Sequence, residues 1–152
     1  MAVDQDRGGA RLLAAAGSPD DTGEPDPALA VALAAYAGDP SREPEVLAAL
    51  PAARLLVPVV AELGESDVGP DGLARDKSAD LATVLMRGAD DRLALLAFSG
   101  LDAMHRWDPE ARPVPVPAST AALAAMQDGA EALLIDVAGP VPYAVVVSRQ
   151  LE

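Results

Sequence analysis

The stretch LATVLMRGADDRLALLAFS, residues 81–99, decides the fold. Two apolar runs of strand length, Leu81 to Arg87 and Arg92 to Ser99, flank the turn residues Gly88-Ala89-Asp90-Asp91, which is the pattern of an antiparallel hairpin. Upstream, Ala53 to Val60 (ARLLVPVV) is a nearly continuous hydrophobic run of similar length. Pro58 removes one ladder donor from it and predicts a bulge or an edge. The three runs read as a meander. Between the first and the second lies ELGESDVGPDGLARDKSA, residues 62–79, with three glycines and no clear period. A loop of that length inside a compact domain is usually functional or mobile, which makes it a candidate surface.

On the N-terminal side, Asp26-Pro27 opens a helix: Asp26 can accept from the first free N–H groups, and Pro27 suits the first helical position. Leu29, Leu33 and Tyr36 follow at helical spacing until Gly38-Asp39-Pro40 ends the run. A second helix is expected from Ser41 to Leu50, with Val46, Leu47 and Leu50 on one face and Pro51 as the stop. Residues 1–25 carry Gly8, Gly9, Gly17, Pro19, Gly23 and Pro25 among Asp20, Asp21 and Glu24. Such a mixture offers little apolar surface against its ordering entropy, so the expected organisation is a disordered acidic tail over 1–25 and one domain over 26–152.

On the C-terminal side the elements alternate. Ser99 is placed to cap a short helix from Leu101 to Trp107, which Asp108-Pro109 stops. Val114 and Val116 lie between Pro113, Pro115 and Pro117, a short strand suited to a sheet edge. A helix from Ser119 to Asp128 ends at Gly129, Ala132 to Val137 reads as a buried strand, and Tyr143 to Val147 as the last. Strand, helix, strand, helix, strand implies at least one right-handed crossover. The expected class is α+β, a mixed sheet of five or six strands with helices packed against it and two helices at the N-terminal side.

Composition narrows the function. The chain of 152 residues has a formal net charge of −13, from 11 basic and 24 acidic side chains. No segment gathers the bases into a stripe, so the footprint of a nucleic-acid binder is missing. The same charge opposes anionic membrane surfaces, and no apolar run reaches the roughly 18 residues of a spanning helix. With no complete secretory pattern in the first residues, the expected location is the cytoplasm. There is no cysteine, one histidine (His105), one lysine (Lys77) and one tryptophan (Trp107). His105 without a G-x-S-x-G elbow offers no triad, and a single histidine among scattered acids offers no zinc site. The glycines are dispersed, so no phosphate-cradling loop is present. Neither a catalytic residue, a cofactor nor a metal is expected.

Several stretches together carry a family resemblance. LAAYAGDPSREPEVLAALPAARLLVPVV, RDKSADLATVLMRGADDRLALLAFSGLDAMHRWDP, the proline-rich VPVPAS and the late DVAGPVPY resemble, in this order, the SseB family of actinobacteria, similar to the N-terminal domain of the enhanced serine sensitivity protein SseB. The resemblance spans residues 26 to 147. It implies a domain of that family and no particular reaction or cofactor. Longer bacterial members carry a C-terminal domain, and with this sequence stopping at Glu152 the resemblance implies the single-domain type as the expectation. Sustained heptads and membrane-length segments are missing, which argues against a translocon component of the same name.

Three polar features are binding candidates. The first is Arg75-Asp76-Lys77-Ser78-Ala79-Asp80, where Lys77 and Asp80 mark the entry to a strand; an ordinary surface ion-pair cluster has the same appearance. The second is Arg106 with Trp107, residue types enriched at binding hot spots, although Trp107 can equally anchor its helix to the core. The third is Asp136, which interrupts LLIDV near a strand end, where α/β ligand sites lie; alternation placing it outward opposite Ile135 also explains it. Two functions follow. One is a non-enzymatic interaction domain that contacts a cytoplasmic protein through the long loop and the Trp107 region. The other is a binder of an amino acid or metabolite, lined by Lys77, Asp80 and Asp136 and linked to serine tolerance through the family name alone.

Overall fold

The computed structural model describes residues 8–17, 20–61, 81–88, 91–139 and 142–147. The helices are α1 (Gly8–Ala16), α2 (Pro27–Gly38), α3 (Glu43–Ala49), α4 (Leu101–Trp107) and α5 (Ala118–Gln127). The strands are β1 (Arg54–Ala61), β2 (Leu81–Thr83), β3 (Leu85–Arg87), β4 (Leu93–Ala97), β5 (Arg112–Pro117), β6 (Ala132–Ile135) and β7 (Tyr143–Val146). They form a three-stranded sheet in the order β2-β1-β5 and a four-stranded sheet in the order β3-β4-β6-β7. The class is the expected α+β with parallel and antiparallel pairing. The strands divide between two sheets where one was expected.

The division has a local cause. Residues 81–87 run as one extended segment that pairs with β1 up to Val59↔Thr83 and with β4 from Leu85↔Leu95 onward. One step past Val59↔Thr83, Pro58 stands opposite Val84 and has no N–H to offer its carbonyl. That carbonyl accepts from Leu96 N instead, at 3.0 Å, and the segment changes sheets. β1 is therefore a central strand and Pro58 marks a switch, not the bulge or edge its missing donor predicted. β5 is at the edge, as its prolines required. Ala118 N donates to Ala53 O at 3.0 Å, so in register Pro113, Pro115 and Pro117 occupy the non-hydrogen-bonded pairs and turn their nitrogens away from β1. The open side of β5 thus carries no donor at these three positions, which blunts it against further pairing.

Helices lie on both faces. Leu13 of α1, Leu29 and Ala32 of α2, Val46 of α3 and Ala121, Ala124 and Ala125 of α5 pack with Leu55, Val57, Leu95, Leu133, Ile135 and Tyr143 in the main core. Among the described elements α4 alone covers the other face, where Met104 is buried with Leu56, Leu96 and Phe98. The alternation of β1 explains both: its odd residues face the main core, and Leu56 faces α4. The hairpin of β3 and β4 and the parallel pairing of β4 with β6 follow the sequence pattern. Asp26 caps α2 as expected, its Oδ1 accepting from Leu29 N at 3.1 Å. In α3 the expected face is split, with Val46 and Leu50 buried and Leu47 exposed. α5 ends in a Schellman pattern at Gly129, whose φ of +83° suits glycine; Ala130 N donates to Ala125 O and Gly129 N to Met126 O.

The expected disordered tail needs correction. Residues 8–16 form α1, and Leu13 is fully buried against the main core. Gly9 N donates to Asp128 Oδ1 at 3.0 Å, so a carboxylate at the end of α5 caps the first turn of α1, and Asp128 Oδ2 also accepts from Thr83 Oγ1 at 2.5 Å. A side chain at position 9 would collide with that carboxylate. The leucines and alanines of RLLAAA have strong helix propensity, and tertiary burial supplies what composition alone did not offer.

Candidate functional site

β4 and β6 are parallel neighbours, and the polar groups gather just past their carboxyl ends, where ligand sites of α/β sheets collect. Asp136, the first residue after β6, has φ +58°, in the left-handed region that aspartate tolerates better than most residues. Its N–H still donates to Ala97 O at 3.0 Å. Asp136 Oδ1 accepts from Ser99 N at 2.8 Å and Oδ2 from Ser99 Oγ at 2.7 Å. The outward placement expected from alternation does not occur, because the chain leaves the strand at this residue and the side chain is held by Ser99. Ser99 itself is buried. It does not cap α4; Gly100 holds that position without a side-chain bond.

Arg54 binds the other side of the same turn. Its Nη1 donates to Ser99 O at 3.1 Å, its Nε to Asp21 Oδ2 at 2.7 Å and its Nη2 to Glu24 O. The Arg54 and Asp21 side chains are only 21% and 17% exposed, so this pair is shielded from water far more than an ordinary surface pair. Leu101 N at the start of α4 donates to Gly23 O at 2.8 Å, which straps residues 21–25 across the turn. Gly23 has φ +87°, and a Cβ there would lie 2.9 Å from Leu101 Cβ. Position 23 therefore requires glycine for both backbone and space.

Chemically this cluster is closed on itself. Both Asp136 oxygens accept from Ser99, and the guanidinium of Arg54 is divided among a carboxylate and two carbonyls. His105 is exposed on α4 and bonds neither Ser99 nor Asp136, so no imidazole stands beside the hydroxyl. Among the described residues, no buried side-chain polar atom is left without a partner, and no three His, Asp or Glu side chains converge as metal ligands would. Among them, too, no helix is long and apolar enough to cross a membrane.

The candidate residues separate. Lys77 and Asp80 lie outside the described residues. Arg106 is exposed on α4, and Trp107 is half-buried, its ring 5.6 Å from that of Phe98 at 31°. Trp107 thus anchors α4 to the sheet, the core role that helical spacing allowed, and keeps one part of its surface outside. Asp136 belongs to the Ser99 and Arg54 cluster. Sequence reading missed Ser99, Arg54 and Asp21 as a group; the available signal was an arginine opening an apolar strand, with its acidic partner 33 positions earlier in a segment read as tail.

The outer face of the four-stranded sheet extends beyond α4. Register places Met86, Ala94, Ala132 and Val146 in one row across the four strands, and Leu96, Leu134 and Ala144 in the next. Leu96 and Leu134 belong to the cluster under α4, whereas Met86 is 36% and Val146 53% exposed. Every residue of both rows is apolar. The charges near one end form pairs: Arg87 with Asp91 at 3.4 Å and Arg92 with Glu131 at 3.6 Å.

The family model of the SseB protein N-terminal domain matches residues 29–149, most of the chain. No curated protein and no solved structure matches it.

Proposed function

The chain belongs to the family of the SseB protein N-terminal domain, and from that premise we propose that it is a cytoplasmic, non-enzymatic interaction module. Its docking surface is the outer face of the four-stranded sheet together with the adjoining surface of α4. The observation that carries this reading is the unbroken apolar pair of rows from Met86 to Val146, bordered by the helix that Trp107 anchors. A partly exposed apolar surface with an aromatic and an arginine at its border has the make-up of a protein contact. The net charge of −13 favours a partner with a basic rim and opposes a nucleic acid.

The test is capture of partners on immobilised protein, comparing wild type with Met86→Asp, Trp107→Ala and Leu123→Asp. Leu123 is exposed on α5, which packs on the opposite face, so its variant is the control. A stoichiometric partner held by wild type and Leu123→Asp, and lost from Met86→Asp and Trp107→Ala, is the expected outcome. A partner that all four proteins retain equally overturns the assignment of the surface. Thermal stabilisation by a free amino acid, with no protein captured, would replace this reading by that of a small-molecule binder.

A further inference from the structure

The edge strands β5 and β7 are treated very differently. β5 turns three proline nitrogens to its open side. β7, with the sequence YAVV followed by Val147, carries no proline, no charge and no bulge. Val147 N donates to Glu131 O at 2.9 Å, and β7 pairs with β6 in the register Leu133↔Val145 and Ile135↔Tyr143. Alternation of an antiparallel ladder then directs the N–H and C=O groups of Ala144 and Val146 away from β6, to a side on which no described strand lies. Both residues are exposed. An edge of this kind, with no proline, charge or bulge in residues 143–147, offers its free backbone groups as a template for a further strand.

We propose that β7 pairs antiparallel with β7 of a second copy, so that two four-stranded sheets join into one across a two-fold axis through Val145. In that register Ala144 meets Val146 of the second copy on either side of the axis, and each such pair exchanges both of its backbone hydrogen bonds. Tyr143 then stands opposite Val147. Every cross-strand pair is uncharged, which matters in a chain of net charge −13, since like charges placed opposite one another would oppose pairing. Two acids adjoin the strand and both are engaged, Glu131 with Arg92 and Glu43 with the Tyr143 hydroxyl. Self-complementarity decides the occupant: the strand matches its own copy in bonds, charge and apolar side chains with nothing left over. The inference stands on the strand edge and does not depend on the partner proposed for the sheet face.

The test uses proline substitutions that the fold tolerates. Ala144→Pro and Val146→Pro remove N–H groups that make no bond to β6, and the fixed φ of proline is accepted on an edge strand. Sedimentation equilibrium is run on the full chain at about 100 μM, where a micromolar pair is mostly associated, and at about 0.3 M salt to screen the acidic repulsion. Wild type is expected at twice the chain mass, both proline variants at the monomer mass with an unchanged far-UV spectrum, and Met86→Asp still as the dimer. Val146→Lys, which places like charges beside the axis, is the second route to the monomer should a proline variant misfold. A monomeric wild type overturns the proposal, and so does a dimer that persists in Ala144→Pro and Val146→Lys. A dimer lost in Met86→Asp alone would assign the contact to the sheet face and overturn it as well.

Discussion

Asp136 shows how one side chain can satisfy backbone and turn together. Its left-handed φ is tolerable for aspartate, costs an alanine of the order of 1 kcal/mol, and costs glycine nothing. Its carboxylate also takes both hydrogen bonds of Ser99, a buried residue whose N–H and hydroxyl would otherwise lose them. Asp136→Asn should therefore be the mildest change, because asparagine keeps the conformation and one acceptor. Asp136→Gly keeps the conformation and loses both bonds, at about 2 kcal/mol. Asp136→Ala loses both and adds backbone strain, so it should be the most damaging, by about 3 kcal/mol. Urea titration of the three variants checks the order; an alanine variant as stable as the asparagine one would remove the role given to this residue. In sequence, Asp136 was legible as an anomaly in an apolar run. Its partner was not, since Ser99 lies 37 positions away and had a simpler local reading as a helix cap.

Among the elements, α2, the hairpin of β3 and β4, α5 and the proline-guarded β5 were all readable, because each rests on local signals: a cap, a turn, a stop, a missing donor. α1 was not. A nine-residue helix is marginal by itself. α1 is held by Leu13 in the core and by Asp128, which bonds the Gly9 amide and the Thr83 hydroxyl and so joins α1, α5 and β2. Asp128→Ala should cost about 1–2 kcal/mol, in the range of a lost cap. Its effect should also be local: amide exchange of residues 9–13 should rise by more than tenfold while β4 and β6 remain protected. Uniform loss of protection across all elements would mean instead that α1 unfolds only with the whole domain. Pro58 is a different kind of miss. Its missing donor is legible in the sequence, but a proline can face an edge or a switch between two partners, and only the neighbours decide which.

For the molecule as a whole, Tyr143 links distant parts. Its hydroxyl donates to Glu43 Oε2 at 2.7 Å, and its ring meets that of Tyr36 edge-on at 5.1 Å, so β7, α3 and α2 meet at one phenol. Burial, and then the Glu43 carboxylate beside it, raises the Tyr143 hydroxyl above the ordinary phenol value. The folded state therefore holds this proton more tightly than the unfolded one. Its contribution is complete below the ordinary phenol value of about 10 and falls as pH rises beyond it. Tyr143→Phe should lower stability at neutral pH by about 1 kcal/mol and flatten the alkaline decline, which denaturant titrations at neutral pH and near pH 11 would show. Equal slopes in both proteins would place the alkaline loss elsewhere.

The amino-acid sequence by itself determined the class, the family and most of the elements, because apolar period, caps, turn residues and proline act over a few neighbouring positions. Its net charge of −13 is likewise independent of the fold. Tertiary structure decided the rest: that the strands split at Pro58 and Val84, that α1 is part of the domain, that Asp136 closes on Ser99 with Arg54, and that β7 lies at the edge of its sheet. Each of these depends on which groups meet across tens of residues, and a hydrogen bond or a buried contact is fixed by that meeting and not by the local chain.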